Sequence, residues 1–106
     1  MKLGLVIYSN EPETVWNAFR LGVYALDNKD DVKAFLLGKG VEVEGMNADP
    51  FNVTEQMNRF ADKGGEILAC GTCLEVRHSK ESDLCPVSTM KGLYEIIKVS
   101  DRVLTF

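Results

Sequence analysis

The chain has 106 residues, a length that predicts a single domain. Hydrophobic residues make up 45% of it and charged residues 26%, so a globular core is expected without help from disulfides or metals. The formal net charge of −4 argues against nucleic acid as a partner, because phosphate binding needs a basic surface. Apolar runs are too short to span a membrane and the N-terminal residues lack a signal-peptide pattern, so a cytoplasmic protein with no membrane partner is expected.

Strand and helix patterns alternate along the first half of the chain. A nearly continuous apolar run predicts a buried strand over residues 2–8. The segment around Pro12 is a typical helix start, and the residues that follow at helical spacing on one face are Val15, Trp16, Phe19, Val23 and Leu26. A second strand is predicted over residues 32–37, and Gly38-Lys39-Gly40 predicts a turn before the alternating residues 41–44.

The second half continues the alternation. Asn52, with Glu55 three residues later, has the arrangement of a capping box at the start of a second helix. A third strand is predicted over residues 66–69 and a last one over residues 102–106. Between them, a helix over residues 88–99 is expected to turn four side chains inward, namely Met90, Leu93, Tyr94 and Ile97. This order predicts a single-domain α/β fold over residues 1–106, with a mainly parallel sheet and helices on both faces.

The carboxyl ends of parallel strands are where such folds place ligands, and a cysteine pair follows the third strand. Cys70 ends that strand, Gly71 and Thr72 supply a tight turn, and a helix is expected to begin at Cys73. A thiol near a helix start is stabilised as the nucleophilic thiolate. Arg77 would lie one turn after Cys73 on the same face. We therefore expect at least one of the two thiols to titrate below the ordinary value of about 8.5.

Other interpretations of the cysteines remain open. Cys70 alone is typical of a small apolar residue that packs at a strand end. A thioredoxin-like dithiol fits the CxxC spacing, although in that fold the pair normally follows an early strand. Cys85 is predicted to lie in a loop that returns towards the site, and Cys70, Cys73, His78 and Cys85 are together a suitable zinc ligand set. His78, the only histidine, is otherwise a surface or helix-end residue.

The CGTC segment, with Arg77 seven residues after Cys70, resembles the DsrE/DsrF-like sulfur-relay family and its YchN-type small α/β members. Residues 87–93 and 100–104, the Trp-bearing first helix and the turn at residues 38–40 are also similar to family members. The resemblance therefore covers essentially the whole chain. His78 is a departure, because many members have glycine after the arginine.

The resemblance implies a small subunit that assembles into homotrimers or homohexamers. It implies that Cys70 carries sulfane sulfur as a persulfide. Our hypothesis is that Cys73 resolves, shelters or relays this sulfur, and that the backbone amides of Gly71 and Thr72, with Arg77, stabilise the anionic sulfur. The partners would be sulfur donor and acceptor proteins, no cofactor is needed, and any enzymatic activity would be that of a thiol sulfurtransferase. The alternative is a non-catalytic oligomeric binding or regulatory subunit whose cysteines are structural or bind zinc.

Overall fold

The architecture of the chain is known from a computed structural model that describes residues 1–106. Its strands are β1 (Lys2–Ile7), β2 (Asp31–Leu36), β3 (Asn47–Ala48), β4 (Phe51–Asn52), β5 (Glu66–Cys70), β6 (Val87–Ser88) and β7 (Arg102–Thr105). Its helices are α1 (Pro12–Asp27), α2 (Val53–Asp62), α3 (Gly71–Val76) and α4 (Met90–Val99), together with a 3-10 helix over Gly38–Glu42. None of these helices has the length and apolar character needed to cross a membrane.

Five strands form one parallel sheet in the order β6-β5-β2-β1-β7, and β3 pairs with β4 as a separate antiparallel ribbon. The predicted α/β fold with a mainly parallel sheet is therefore confirmed. The carboxyl ends of β1, β2 and β5 lie side by side, because Ile7 pairs with Leu36 and Leu36 pairs with Ala69. This edge carries the segments that follow those strands.

Helices cover the two faces of the sheet unequally. On the α1 and α2 side, 18 buried residues form one cluster, here called the large core. Within it the rings of Phe19 and Phe60 meet edge to face, with their centroids 5.4 Å apart. On the α4 side, only three buried residues form the small core: Phe35, Cys70 and Ile96. Most of the hydrophobic stabilisation therefore comes from the first side.

Side-chain caps fix the starts of the two helices that cover the large core. Glu11 accepts two backbone N–H bonds from the first turn of α1, and Pro12 occupies its first position, as the sequence predicts. The Asn52 side chain accepts the Glu55 N–H at 3.0 Å, so this part of the predicted capping box is confirmed. The Glu55 carboxylate pairs instead with Arg59 at 2.8 Å, so the reciprocal bond is not formed.

The predicted inward face of α4 is wrong in part. Met90, Tyr94 and Ile97 are exposed, at 56%, 61% and 47%, whereas Ile96 is the buried residue of this helix and Leu93 is half-buried. The helix therefore packs on the sheet through the side that carries Leu93 and Ile96, and its most apolar side faces away from the sheet. Helical spacing identifies an apolar stripe, but it does not say whether the sheet or another surface covers it.

The segment after β2 is a 3-10 helix rather than an open turn, and it includes the first of the alternating residues 41–44. Gly38 has a φ of +56°, in the left-handed region that favours glycine. Gly40 lies against β1 so closely that a Cβ atom there would be 1.9 Å from the Ile7 carbonyl oxygen. The same oxygen accepts the Leu37 N–H at 2.9 Å. This segment is therefore held against the end of β1, beside the cysteine pair.

Candidate functional site

Cys70 is both the last residue of β5 and the N-cap of α3. Its Sγ accepts the Cys73 N–H at 3.4 Å, and the helix begins at Gly71 rather than at Cys73 as predicted. The helix begins earlier than predicted because the Cys70 side chain caps it, and the first turn of α3 therefore follows Cys70 directly. A Cβ atom at Gly71 would lie 3.0 Å from the Val87 side chain, so glycine lets β6 approach the turn closely.

The two thiols of the CGTC segment are in direct contact. The Cys73 Sγ lies 2.7 Å from the Cys70 Sγ, and it also accepts the Gly38 N–H at 3.2 Å. Cys70 is 3% exposed, whereas Cys73 is half-buried. The ends of β2 and β5 thus meet at this pair, as the parallel sheet predicts.

Burial dominates the acidity of Cys70. Removal from water raises the pKa of this thiol, and the hydrogen bond with the Cys73 thiol raises the pKa further. The backbone N–H groups of Cys73 and Thr72 act in the opposite direction. The expectation that backbone amides and Arg77 would outweigh burial is therefore wrong for Cys70, because the strand end lies among apolar side chains.

Arg77 lies next to the pair, but its guanidinium donates no hydrogen bond to either thiol. Its Nε bonds Glu42 Oε2 at 2.5 Å, and another guanidinium nitrogen donates to the Cys73 carbonyl oxygen at 3.1 Å. The Asn10 side chain donates to the same glutamate at 3.1 Å, and the bonds from Arg77 and Asn10 lower the pKa of Glu42. These contacts join the three strand ends. The role of Arg77 in stabilising an anionic sulfur stays a prediction.

Glu42 is a part of the site that the sequence did not identify, and the contacts of Asn10 with Glu42 and of the Gly38 N–H with Cys73 were not predicted either. Glu42 and Arg77 are 35 residues apart, and Gly38 and Cys73 are also 35 apart. The only signal was that strand ends carry ligand sites in this architecture, which indicated the region around Asn10 and Gly38 but not the pairings.

Cys85 does not join the cysteine pair. It is 4% exposed and belongs to the large core, whereas Cys70 belongs to the small core. Cys85 belongs to the same core as Ala69, the residue before Cys70 in β5. Because successive residues of a strand point to opposite faces, the Cys70 and Cys85 thiols lie on opposite sides of the sheet. The expectation that Cys85 returns to the site is wrong. Burial raises the pKa of Cys85, and the nearby Glu44 carboxylate raises it further.

The four ligands of the zinc interpretation are not assembled. His78 is exposed at the end of α3, and the chain contains no group of three or more His, Cys, Asp or Glu residues arranged to hold a metal ion. His78 has a φ of +51° and follows the helix in the left-handed position, where the Ser79 N–H bonds the Leu74 carbonyl. Glycine adopts this conformation more readily than histidine does, so His78 occupies a position whose backbone favours glycine.

Known proteins of several organisms are similar to this chain. It is 33% identical to the uncharacterised protein MK0008 of Methanopyrus kandleri, over 95% of this chain and 91% of that protein. It is also 33% identical to the uncharacterised protein MJ0989 of Methanocaldococcus jannaschii, over 89% of this chain and 88% of that protein. Both alignments span nearly the full length of this chain and of the relative.

Solved structures share the fold. The crystal structure of the YchN protein from E. coli superposes with a TM-score of 0.84 at 20% identity and covers 100% of both chains. The protein BT1422 from Bacteroides thetaiotaomicron superposes with a TM-score of 0.73 at 17% identity, over 99% of this chain and 94% of that one. The family model described as the DsrE/DsrF-like family matches residues 1–106. With the cysteine pair at the end of β5, this full-length match shows that the chain belongs to the DsrE/DsrF-like family.

Proposed function

We propose that this chain is a sulfur-relay protein that carries sulfane sulfur as a persulfide on Cys70. Membership of the DsrE/DsrF-like family points to sulfur relay in general. The observation that carries the finer proposal is the contact of the Cys70 and Cys73 Sγ atoms, 2.7 Å apart, at the carboxyl edge of the sheet. Two thiols in contact at a strand end form a site for thiol exchange.

Loading is an exchange between sulfur atoms. The Cys70 thiolate attacks the outer sulfur of a donor persulfide, the new Sγ–S bond forms, and the donor cysteine leaves as a thiolate. Because burial raises the pKa of Cys70, its proton has to be removed as the donor approaches. The Cys73 Sγ is in hydrogen-bond contact with Cys70, and the Gly38 N–H favours negative charge on Cys73.

The anion that forms during exchange is held mainly by backbone donors. The N–H groups of Thr72 and Cys73 favour a negative Cys70, and the Gly38 N–H favours a negative Cys73. Arg77 adds positive charge at the rim, although Glu42 pairs with it. We assign Arg77 chiefly to fixing the Cys73 backbone through its bond to that carbonyl oxygen. The mechanism needs no organic cofactor.

The outer surface of α4 supports the predicted assembly. Met90, Tyr94 and Ile97 form an apolar stripe that the single chain leaves exposed. We propose that this stripe packs against other copies of the chain in a homotrimer or homohexamer, as in the similar family. Cytoplasmic donor and acceptor proteins would then exchange sulfur with the assembled subunits beside the half-buried Cys73.

Intact-mass measurement after incubation with a persulfide donor tests the carrier. The wild-type chain is expected to gain one sulfur atom that a reductant removes, and Cys70→Ser is expected to gain none. Cys85→Ser is the matched control, because it removes a thiol of the large core and should load normally. Equal loading of Cys70→Ser and the wild type would overturn the assignment. Stoichiometric zinc in the purified protein would favour the alternative of a non-catalytic subunit.

A further inference from the structure

The two thiols of the pair differ in their surroundings. Cys70 lies among the apolar side chains of the small core and is 3% exposed. Cys73 is half-buried, and its Sγ accepts an N–H bond from Gly38, the first residue of the 3-10 helix after β2. Access to water and a hydrogen-bond donor both stabilise a thiolate. Cys73 is therefore the more accessible of the two sulfurs, and a backbone N–H group fixes its position.

The position of Cys73 decides which sulfur atom it can attack. Its Sγ lies 2.7 Å from the Cys70 Sγ, the inner sulfur of a persulfide on Cys70. We propose that, when no acceptor takes the sulfur, Cys73 attacks this inner atom, so that the chain releases hydrogen sulfide and closes a Cys70–Cys73 disulfide. This activity rests on the persulfide carrier function proposed above, and it adds a discharge reaction to it.

The step conserves atoms and electrons. The Cys73 thiolate supplies the electron pair of the new Sγ–Sγ bond, and the bond between the Cys70 Sγ and the sulfane sulfur breaks. The sulfane sulfur keeps that electron pair and its own proton and leaves as hydrosulfide. It is thereby reduced, while the two cysteine sulfurs are oxidised to a disulfide. No external oxidant is required.

Two features favour attack on the inner sulfur. The nucleophile and its target belong to one rigid turn, and well-oriented intramolecular groups react at effective concentrations of the order of 10⁵ M. Attack on the outer sulfur only moves the persulfide from Cys70 to Cys73 and is readily reversed. Hydrosulfide, in contrast, leaves past the half-buried Cys73 into solvent, so its diffusion away makes the inner attack the lasting outcome.

The disulfide blocks further loading until it is reduced. It holds no free thiolate at the site, and a dithiol reductant, a protein or a small molecule, has to restore the pair. With such a reductant the chain turns over as a persulfide reductase that produces sulfide. Without one, it discharges a single sulfur and stops. The reducing state of the surroundings therefore sets whether the chain can be loaded again.

The test begins with reduced protein loaded by glutathione persulfide and freed of excess donor by gel filtration. Sulfide and intact mass are then followed anaerobically without reductant. We expect one sulfide per loaded chain, while the mass falls from one added sulfur atom to that of the reduced chain less two hydrogens. Peptide mapping should locate the disulfide at Cys70–Cys73. Cys73→Ser should release sulfide at least about a hundredfold more slowly, because only attack by other molecules remains.

The outcomes separate this activity from the carrier function. Wild-type protein that neither takes up sulfur nor forms the Cys70–Cys73 disulfide refutes both proposals. Protein that loads and then keeps its persulfide refutes the discharge reaction alone, as does equally fast release from Cys73→Ser. Cys85→Ser is the matched control and should load and release normally. The disulfide of the wild-type product identifies the reaction by itself, so the test does not depend on how well Cys73→Ser folds.

Discussion

The two faces of the sheet differ in how much they bury and in what they offer to other molecules. The α1 and α2 side closes over 18 buried residues, whereas the α4 side closes over three and leaves an apolar stripe exposed. Each side holds a buried cysteine, Cys85 in the large core and Cys70 in the small core. The comparison indicates that most of the packing lies on one face, whereas the thiol proposed to carry sulfur lies on the other, where the packing is thin.

The strongest test of this division is one substitution made on each face. Phe60 and Phe35 are both fully buried, the first in the large core and the second in the small core. We expect Phe60→Ala to lower the free energy of unfolding by about 3–5 kcal/mol, and Phe35→Ala to fall at the low end of that range, because α4 alone can settle into the cavity. Urea unfolding of both variants measures the difference. A larger loss for Phe35→Ala would contradict the division.

A charge on the exposed stripe of α4 should break assembly without unfolding the chain. Ile97→Asp places a carboxylate where another copy is proposed to pack, which should weaken association roughly a hundredfold, or about 3 kcal/mol per contact. Light scattering across protein concentrations measures this. Asn58→Asp adds the same charge to an exposed position of α2 and should assemble like the wild type. If the wild-type chain is itself monomeric, the proposed interface at α4 is wrong.

The two buried thiols predict a loss of stability at high pH. The pKa of Cys85 is raised in the folded chain, whereas a thiol in the unfolded chain ionises at about pH 8.5. The contribution of Cys85 to the free energy of unfolding is therefore fully present below about pH 8.5 and is lost as the pH rises above that value. The slope for one thiol is about 1.4 kcal/mol per pH unit. In a plot of the free energy of unfolding against pH, measured by urea unfolding, Cys85→Val should reduce the slope above about pH 8.5 by this amount. A constant difference between the two proteins from pH 7 to 10 would contradict the burial of Cys85.

The smallest expected effect compares helix starts on the two faces. The Asn52 side chain accepts the Glu55 N–H at the start of α2, whereas Thr89 at the start of α4 makes no side-chain cap bond. Asn52→Ala should cost about 1 kcal/mol, and Thr89→Ala should change stability by less than about 0.5 kcal/mol. Thermal unfolding measures both. Equal losses would show that the cap is not what distinguishes the two helices.

The sequence predicted the sheet and its helices well because those features are local or periodic. The apolar run of β1, the cap at Asn52 and the cysteine pair after β5 are all visible within a few residues. The inward side of α4 was predicted wrongly, since an apolar stripe looks the same whether a sheet or a second subunit covers it. The partner of Arg77 was not predicted, because Glu42 is 35 residues away and only the folded chain joins them.

The close approach of Gly40 to β1 limits how the protein can change by mutation. Any side chain at that position would collide with the Ile7 carbonyl group, so alanine already requires a backbone shift. Such a shift would move the Gly38 N–H away from the Cys73 sulfur, although neither cysteine had been altered. Lys39, between the two glycines, is exposed and meets no such limit. A library randomised over these three positions should therefore retain glycine at position 40 and vary freely at position 39. Mutations that change the surroundings of the Cys73 thiol are therefore expected at neighbouring side chains, whereas the Gly38 N–H contact stays unchanged.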